Sequence, residues 1–156
     1  MGIDPGMALV GYGVIEIENG EAILTTSGSI RTEKDKTVPA RLAEIMSDVK
    51  ELIEMYKPDV VSVEDLFFFK NQKTIIPVAQ SRGVILAVIE SLEVPIYEYT
   101  PMQVKQVLTG YGRASKKEVE DMVRLVIKNK ELPKLDDTVD AIAIAICHAR
   151  SQLKLK

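Results

Sequence analysis

The chain has 156 residues, is 46% hydrophobic and 28% charged, and carries a formal net charge of −3. That length supports one domain with a real core, leaves no room for two full-sized ones, and contains no low-complexity tract that would signal extensive disorder. Apolar runs such as Val84 to Ile89 are far too short to span a membrane, no leader-like segment opens the sequence, and Cys147 is the single cysteine. An intrachain disulfide and a thiolate metal cluster are therefore excluded, and a soluble protein of the reducing cytoplasm, with no membrane partner, is expected.

In chain order, Met1 and Ile3 read as strand residues, and Pro5-Gly6 forces a turn directly after Asp4. "LVGYGVIEIE" is a second strand, and Asn19-Gly20 is a two-residue hairpin turn into a third, "EAILTTSGSIRT". Thr37 caps a helix that starts at Val38 or Pro39 and runs to Tyr56, with Leu42, Ile45, Met46, Val49, Leu52 and Ile53 at helical spacing. "VVSVE" is a short buried strand ending at Glu64. The loop "DLFFFKNQKTI" follows, then a helix from about Pro77 to Leu92 and a strand "VPIYEY". Thr100-Pro101 caps a short helix through Val107 or Leu108. Ser115 and Glu118 form a capping box for a helix through about Asn129, and a last helix starts near Asp136. Three strands in meander followed by strand-helix crossovers predict an α/β fold: a five-stranded mixed sheet with helices on both faces. Active centres in such sheets lie at the carboxyl ends of parallel strands, where both Asp4 and Glu64 fall.

Charge is unevenly placed. No acid occurs from Leu66 to Ile89, which carries Lys70, Lys73 and Arg82, nor from Tyr99 to Lys117, which carries Lys105, Arg113, Lys116 and Lys117. Two local basic surfaces, or ordinary solvated charge, fit that distribution.

"DDTVD" opens the last helix, and Asp137 and Asp140, three residues apart, share a helix face with Cβ atoms roughly 5–6 Å apart. If that end of the helix packs near Asp4 and Glu64, four carboxylates converge, and their repulsion is relieved by cations. Mg²⁺ suits such a set, because it takes hard oxygen ligands and keeps positions for water and phosphate. Two ions can then promote phosphodiester hydrolysis. Each acid also has an ordinary explanation: an Asx turn for Asp4, a solvated strand end for Glu64, a helix cap for Asp136 and Asp137. Asp140, set among Val139, Ala141, Ile142 and Ala143, fits none of these easily.

"GIDPG" with "GYGVI", "VSVEDLFFFKN", "AQSRGVILAVI", "YTPMQVKQVLTGYG" and "DDTVDAIAIAICHA", in that order, resemble the RuvC family of Holliday-junction resolvases, within the ribonuclease H-like nuclease superfamily. The resemblance covers nearly the whole chain as one nuclease domain with a ribonuclease H-like fold. It implies a homodimeric endonuclease, dependent on Mg²⁺ or Mn²⁺ with two ions per site, that nicks two strands of four-way junction DNA symmetrically. A branch-migration motor of the RuvA and RuvB type is the implied partner. The family's metal-binding carboxylates fall on Asp4, Glu64, Asp137 and Asp140. Only Met1 to Ile3 precede Asp4, fewer than is usual in the family: either the chain is shortened, or a short first strand survives on fewer ladder bonds, with consequences for stability more than for mechanism.

Phe67, Phe68 and Phe69 stand in a loop that turns basic at Lys70 and Lys73. Aromatic residues beside a catalytic groove can stack on unpaired bases, and the resemblance points to Phe67. Lys105 matches the family's "QVK" lysine, and Lys116 matches its lysine after the glycine loop by register, with Lys117 as the alternative; such lysines contact phosphate or stabilise charge on it. Along the helix from Pro77, Val78, Arg82, Ile85 and Ile89 form one stripe, and Ala79, Gly83 and Ala87 a small-residue stripe suited to close approach of a twin helix. His148 reads as structural. Competing functions are a junction-binding module without catalysis, a ribonuclease H-like nuclease with another nucleic-acid substrate, and a nucleotide-binding protein of the actin and sugar-kinase type, for which 156 residues supply too little chain.

Overall fold

The computed structural model describes residues 1–66, 72–128 and 136–152, and the side chains of all of these except 72–74 and 136–137. Its strands are β1 (Gly2–Asp4), β2 (Leu9–Glu18), β3 (Glu21–Arg31), β4 (Val61–Glu64) and β5 (Ile96–Tyr99). Its helices are α1 (Val38–Tyr56), α2 (Gln72–Ser91), α3 (Pro101–Thr109), α4 (Lys116–Val126) and α5 (Asp136–Gln152). The strands form one mixed sheet in the order β3-β2-β1-β4-β5, with β1, β4 and β5 parallel and β2 and β3 antiparallel, as expected. Asn19 and Gly20 both have positive φ, 54° and 79°, which a two-residue turn matched to strand twist requires.

Alternation along the central strands assigns their faces. Ile3, Val61 and Val63 point to one side and pack with Ile45, Val49 and Ile53 of α1 and Ile85 and Ile89 of α2. The other side is covered by α5, with α3 and α4 outside it, around Val104, Leu108, Val123, Ile142 and Ile146. The residues that face α5 are small. A Cβ on Gly2 would collide with the Ala141 carbonyl, one on Gly13 would stand 2.7 Å from Ile142 Cγ1, and Ser62 donates to the Ile144 carbonyl at 3.3 Å. Small residues on the strands and alanines on the helix thus let two backbones approach closely, which brings the start of α5 against the end of β1.

Two helix boundaries differ from expectation by several residues. Helix α2 begins at Gln72, not near Pro77, and carries that proline as its sixth residue. So near a helix start, proline forfeits one backbone hydrogen bond, in a turn that is weakly held anyway. Helix α4 stops at Val126, short of Asn129, because Ile127 turns extended and bridges Ala22 at the sheet edge, where Lys128 donates to the Ala22 carbonyl at 3.1 Å. Short as it is, β1 is paired on both sides: Gly2, Ile3 and Asp4 face Gly13, Tyr12 and Gly11, and Gly2 and Ile3 face Ser62 and Val63. On α2, Ser81, Ile85, Val88 and Ile89 are buried, while Gly83 and Ala87 are exposed, together with Ile76 on the same face.

Candidate active site

Parallel pairing of β1 with β4 decides where Asp4 and Glu64 go. Since Ile3 and Val63 are register partners on the α1 and α2 side, the next residues, Asp4 and Glu64, both turn toward α5. Their carboxyl groups are hydrogen-bonded to each other. Asp140 approaches from α5 and adds a third charge. Burial foremost, then the charges of Asp4 and Asp140 and the hydrogen bond with Asp4, push the Glu64 carboxyl up from 4.5 to about 8, with Lys105 pulling the other way. At neutral pH this group holds a proton unless a cation joins the cluster.

A cleft of about 240 Å³ opens here, lined by Glu64, Lys105, Lys116 and Asp140 over a floor that includes Pro101, Val104 and Ala143. Capping geometry explains how the two lysines reach it. Thr100 and Gln103 cap α3 reciprocally (3.2 and 2.8 Å), fixing the helix one turn before Lys105. Ser115 and Glu118 do the same for α4 (3.2 and 2.7 Å), whose first residue is Lys116. Lys116 Nζ lies 3.4 Å from Asp140 Oδ2. Lys117 instead points to Asp121 at 3.9 Å with its side chain 84% exposed, and Arg113 is exposed outside the cleft lining.

Of the other expected site residues, Phe67 and Lys70 lie outside the described residues. Lys73 and Asp137 belong to the first turns of α2 and α5, and their side chains are likewise outside the description. Among the described residues, no three acid, histidine or cysteine side chains form a ready-made metal cage. Three carboxylates that converge with a self-repulsive, partly buried member are nonetheless an oxygen donor set of the kind a hard divalent cation neutralises.

The turns behind these acids are fastened by residues the sequence reading did not place in the site. Ser81 Oγ donates to the Gly6 carbonyl at 2.9 Å, and Thr32 Oγ1 donates to the Met7 carbonyl at 2.5 Å, both in the turn after Asp4. Arg82 donates to the Glu64 carbonyl at 3.1 Å. The available signal was an arginine inside an apolar helical stripe. His148 lies elsewhere, buried, with Nδ1 3.0 Å from the Tyr99 hydroxyl and its ring 4.4 Å from that of Tyr97, which agrees with a structural role. A larger groove, about 590 Å³, opens at the opposite end of the sheet beside Glu16, Glu18, Lys57 and Asp59, away from the parallel strands' carboxyl ends.

Comparison with known proteins decides the family. The profile described as "Crossover junction endodeoxyribonuclease RuvC" matches residues 1–148. The chain belongs to the RuvC family. It is 51% identical over 150 residues to the RuvC protein of Brevibacillus brevis, covering 96% of this chain and 90% of that one. It is 46% identical to that of Petrotoga mobilis, covering 100% and 96%. Among solved structures, Thermus thermophilus RuvC superposes with a TM-score of 0.89 at 35% identity, covering 99% of this chain and 95% of that one, and the same protein in complex with a Holliday junction substrate does so equally at 99% and 94%. The yeast mitochondrial Holliday junction resolvase shares the fold, with a TM-score of 0.70 at 16% identity over 99% and 80% of the two chains. The RuvC fold thus accounts for the mixed sheet and its flanking helices.

Proposed function

We propose that this chain resolves four-way DNA junctions in recombination and repair, nicking two equivalent strands by metal-dependent phosphodiester hydrolysis. The observation that carries the reading is the meeting of Asp4, Glu64 and Asp140, from three elements far apart in sequence, beside a cleft that Glu64, Asp140 and two lysines line. Membership of the RuvC family supports it, as do relatives named crossover junction endodeoxyribonucleases and the Thermus protein solved with a junction.

In this reading Asp4, Glu64, Asp137 and Asp140 would hold two Mg²⁺ ions, with Mn²⁺ able to substitute. When bound, such ions would supply Lewis-acid activation of water and charge stabilisation at the leaving oxygen. The chain's own residues do the rest. Asp4 and Glu64, each ending a paired strand, fix the donor positions, which limits reorganisation during the reaction. Lys105 and Lys116 offer positive charge to the phosphate being cut. Phe67 stacks on a base unpaired at the crossover, while Lys70, Lys73, Arg113 and Lys117 hold the DNA backbone without reading sequence. The exposed face of α2 around Gly83 and Ala87, where a Cβ on Gly83 would meet open space, suits contact with a second copy. Two copies related by a two-fold axis match a junction with two strands to cut. A RuvA- and RuvB-type motor and a cytoplasmic setting complete the reading, and no helix among the described residues is long and apolar enough to cross a membrane.

Asp4→Asn tests it by removing one charge with little change of shape. Cleavage of a synthetic junction should be abolished and junction binding, read by gel shift, largely retained. Loss of both together would return Asp4 to a structural role.

A further inference from the structure

Arg82 lies behind the cleft, on the face of α2 that meets the sheet. Its side chain is only 14% exposed, and its guanidinium is committed to the segment that carries Glu64. Nε donates to the Glu64 backbone carbonyl at 3.1 Å, and Nη2 stands 3.0 Å from Asp65 Oδ1 and also pairs with Glu98 Oε2 on β5. Asp65 is held from the other side, since its amide donates to the Tyr99 carbonyl at 2.8 Å. The preceding residue, Ser81, is fully buried and donates to the Gly6 carbonyl in the turn after Asp4. Two consecutive residues of one helix therefore grip the two turns that leave the acid-bearing strands.

We propose that Arg82 is a positioning residue for the metal site: it fixes the backbone at Glu64 so that its carboxylate meets that of Asp4 in a geometry a divalent ion can use. A strand end is the part of a sheet least restrained by ladder bonds, and Glu64 is the last residue of β4. A rigid planar fork that binds a carbonyl and two carboxylates at once restrains it as a single flexible ammonium does not. Partners standing one layer behind metal ligands characteristically set metal affinity in this way. The inference rests on the metal-site reading above. A purely structural Arg82, neutralising Asp65 and Glu98, would affect unfolding alone.

The test compares Mn²⁺ binding, read by electron paramagnetic resonance, in the wild type, Arg82→Ala, Arg82→Lys and Asp4→Asn, beside their urea midpoints and the metal dependence of junction cleavage. Arg82→Lys keeps a positive charge beside Asp65 and Glu98 and loses the fork, so it decides the matter even if Arg82→Ala fails to fold. The expected result is a folded Lys variant that binds Mn²⁺ roughly tenfold more weakly. Its cleavage should be impaired at low metal and recover at saturating metal. Unchanged Mn²⁺ affinity in the Lys variant overturns the inference. If Asp4→Asn also binds Mn²⁺ like the wild type, the metal-site reading has failed and the positioning role with it; if only Asp4→Asn loses the ion, the positioning role alone is wrong.

Discussion

Glu64 ends a buried strand with Asp4 beside it and Asp140 across from it, and each of these raises the cost of its charge. Its carboxyl in the folded chain titrates near 8, against 4.5 when free, so between those values the folded protein keeps a proton that the unfolded chain has released. Stability of the metal-free protein is therefore undiminished by this group below about pH 4.5 and falls as pH rises toward 8, by on the order of a few kcal/mol in all. In chelator, urea midpoints should decline across that window for the wild type. The decline should be much smaller for Glu64→Gln, and a divalent ion should flatten the wild-type profile by replacing the proton. Equal slopes in wild type and variant would mean that Glu64 is not desolvated as described. This residue was legible in sequence as an acid at a strand end. Its electrostatic load was not, because it depends on α5 arriving at the same place from 76 positions later in the chain, from Glu64 to Asp140.

At the scale of elements, the site exists because α5 can lie almost on the backbone of the central strands. Gly2, Gly13 and Ser62 supply the room, and Ala141 and Ala145 use it. A methyl group at Gly2 meets the Ala141 carbonyl and stands 2.6 Å from the Ala145 amide nitrogen, both rigid backbone atoms. Gly2→Ala should accordingly cost about 1–3 kcal/mol or more in urea unfolding, as overpacking does, and weaken metal binding by lifting Asp140 from Asp4. Wild-type stability in that variant would show that the contact has slack. Elements whose signals are local were readable in sequence: the Asn19-Gly20 turn, the Thr37 and Thr100 caps, and the capping box at Ser115 all sit where expected. Elements that end through a distant partner were not. Helix α4 stops where Ile127 comes alongside Ala22 at the β3 edge and the Lys128 amide donates to the Ala22 carbonyl, and no residue after Val126 announces that. Helix α2 runs through Pro77 because proline near a helix start is cheap, whereas proline in sequence reads as a boundary.

For the whole molecule, one end of the sheet gathers the acids, the lysines of α3 and α4, and the turns pinned by α2, while the exposed stripe of α2 faces outward. Under the proposed function, that division would separate a cutting end from a face open to a second copy, the arrangement that symmetric cleavage of a four-way junction by two copies calls for. An overall charge of −3 is compatible with DNA binding because the basic residues are concentrated where the acids are few outside the cluster itself. The most direct measurement is cleavage of a synthetic four-way junction beside a linear duplex of the same sequence, with Mg²⁺ and with chelator, following both candidate strands by separate labels. Paired nicks at symmetric positions, in the junction alone and only with the metal, are the predicted result. Cutting of the duplex at a comparable rate, or nicks that persist in chelator, would contradict the account.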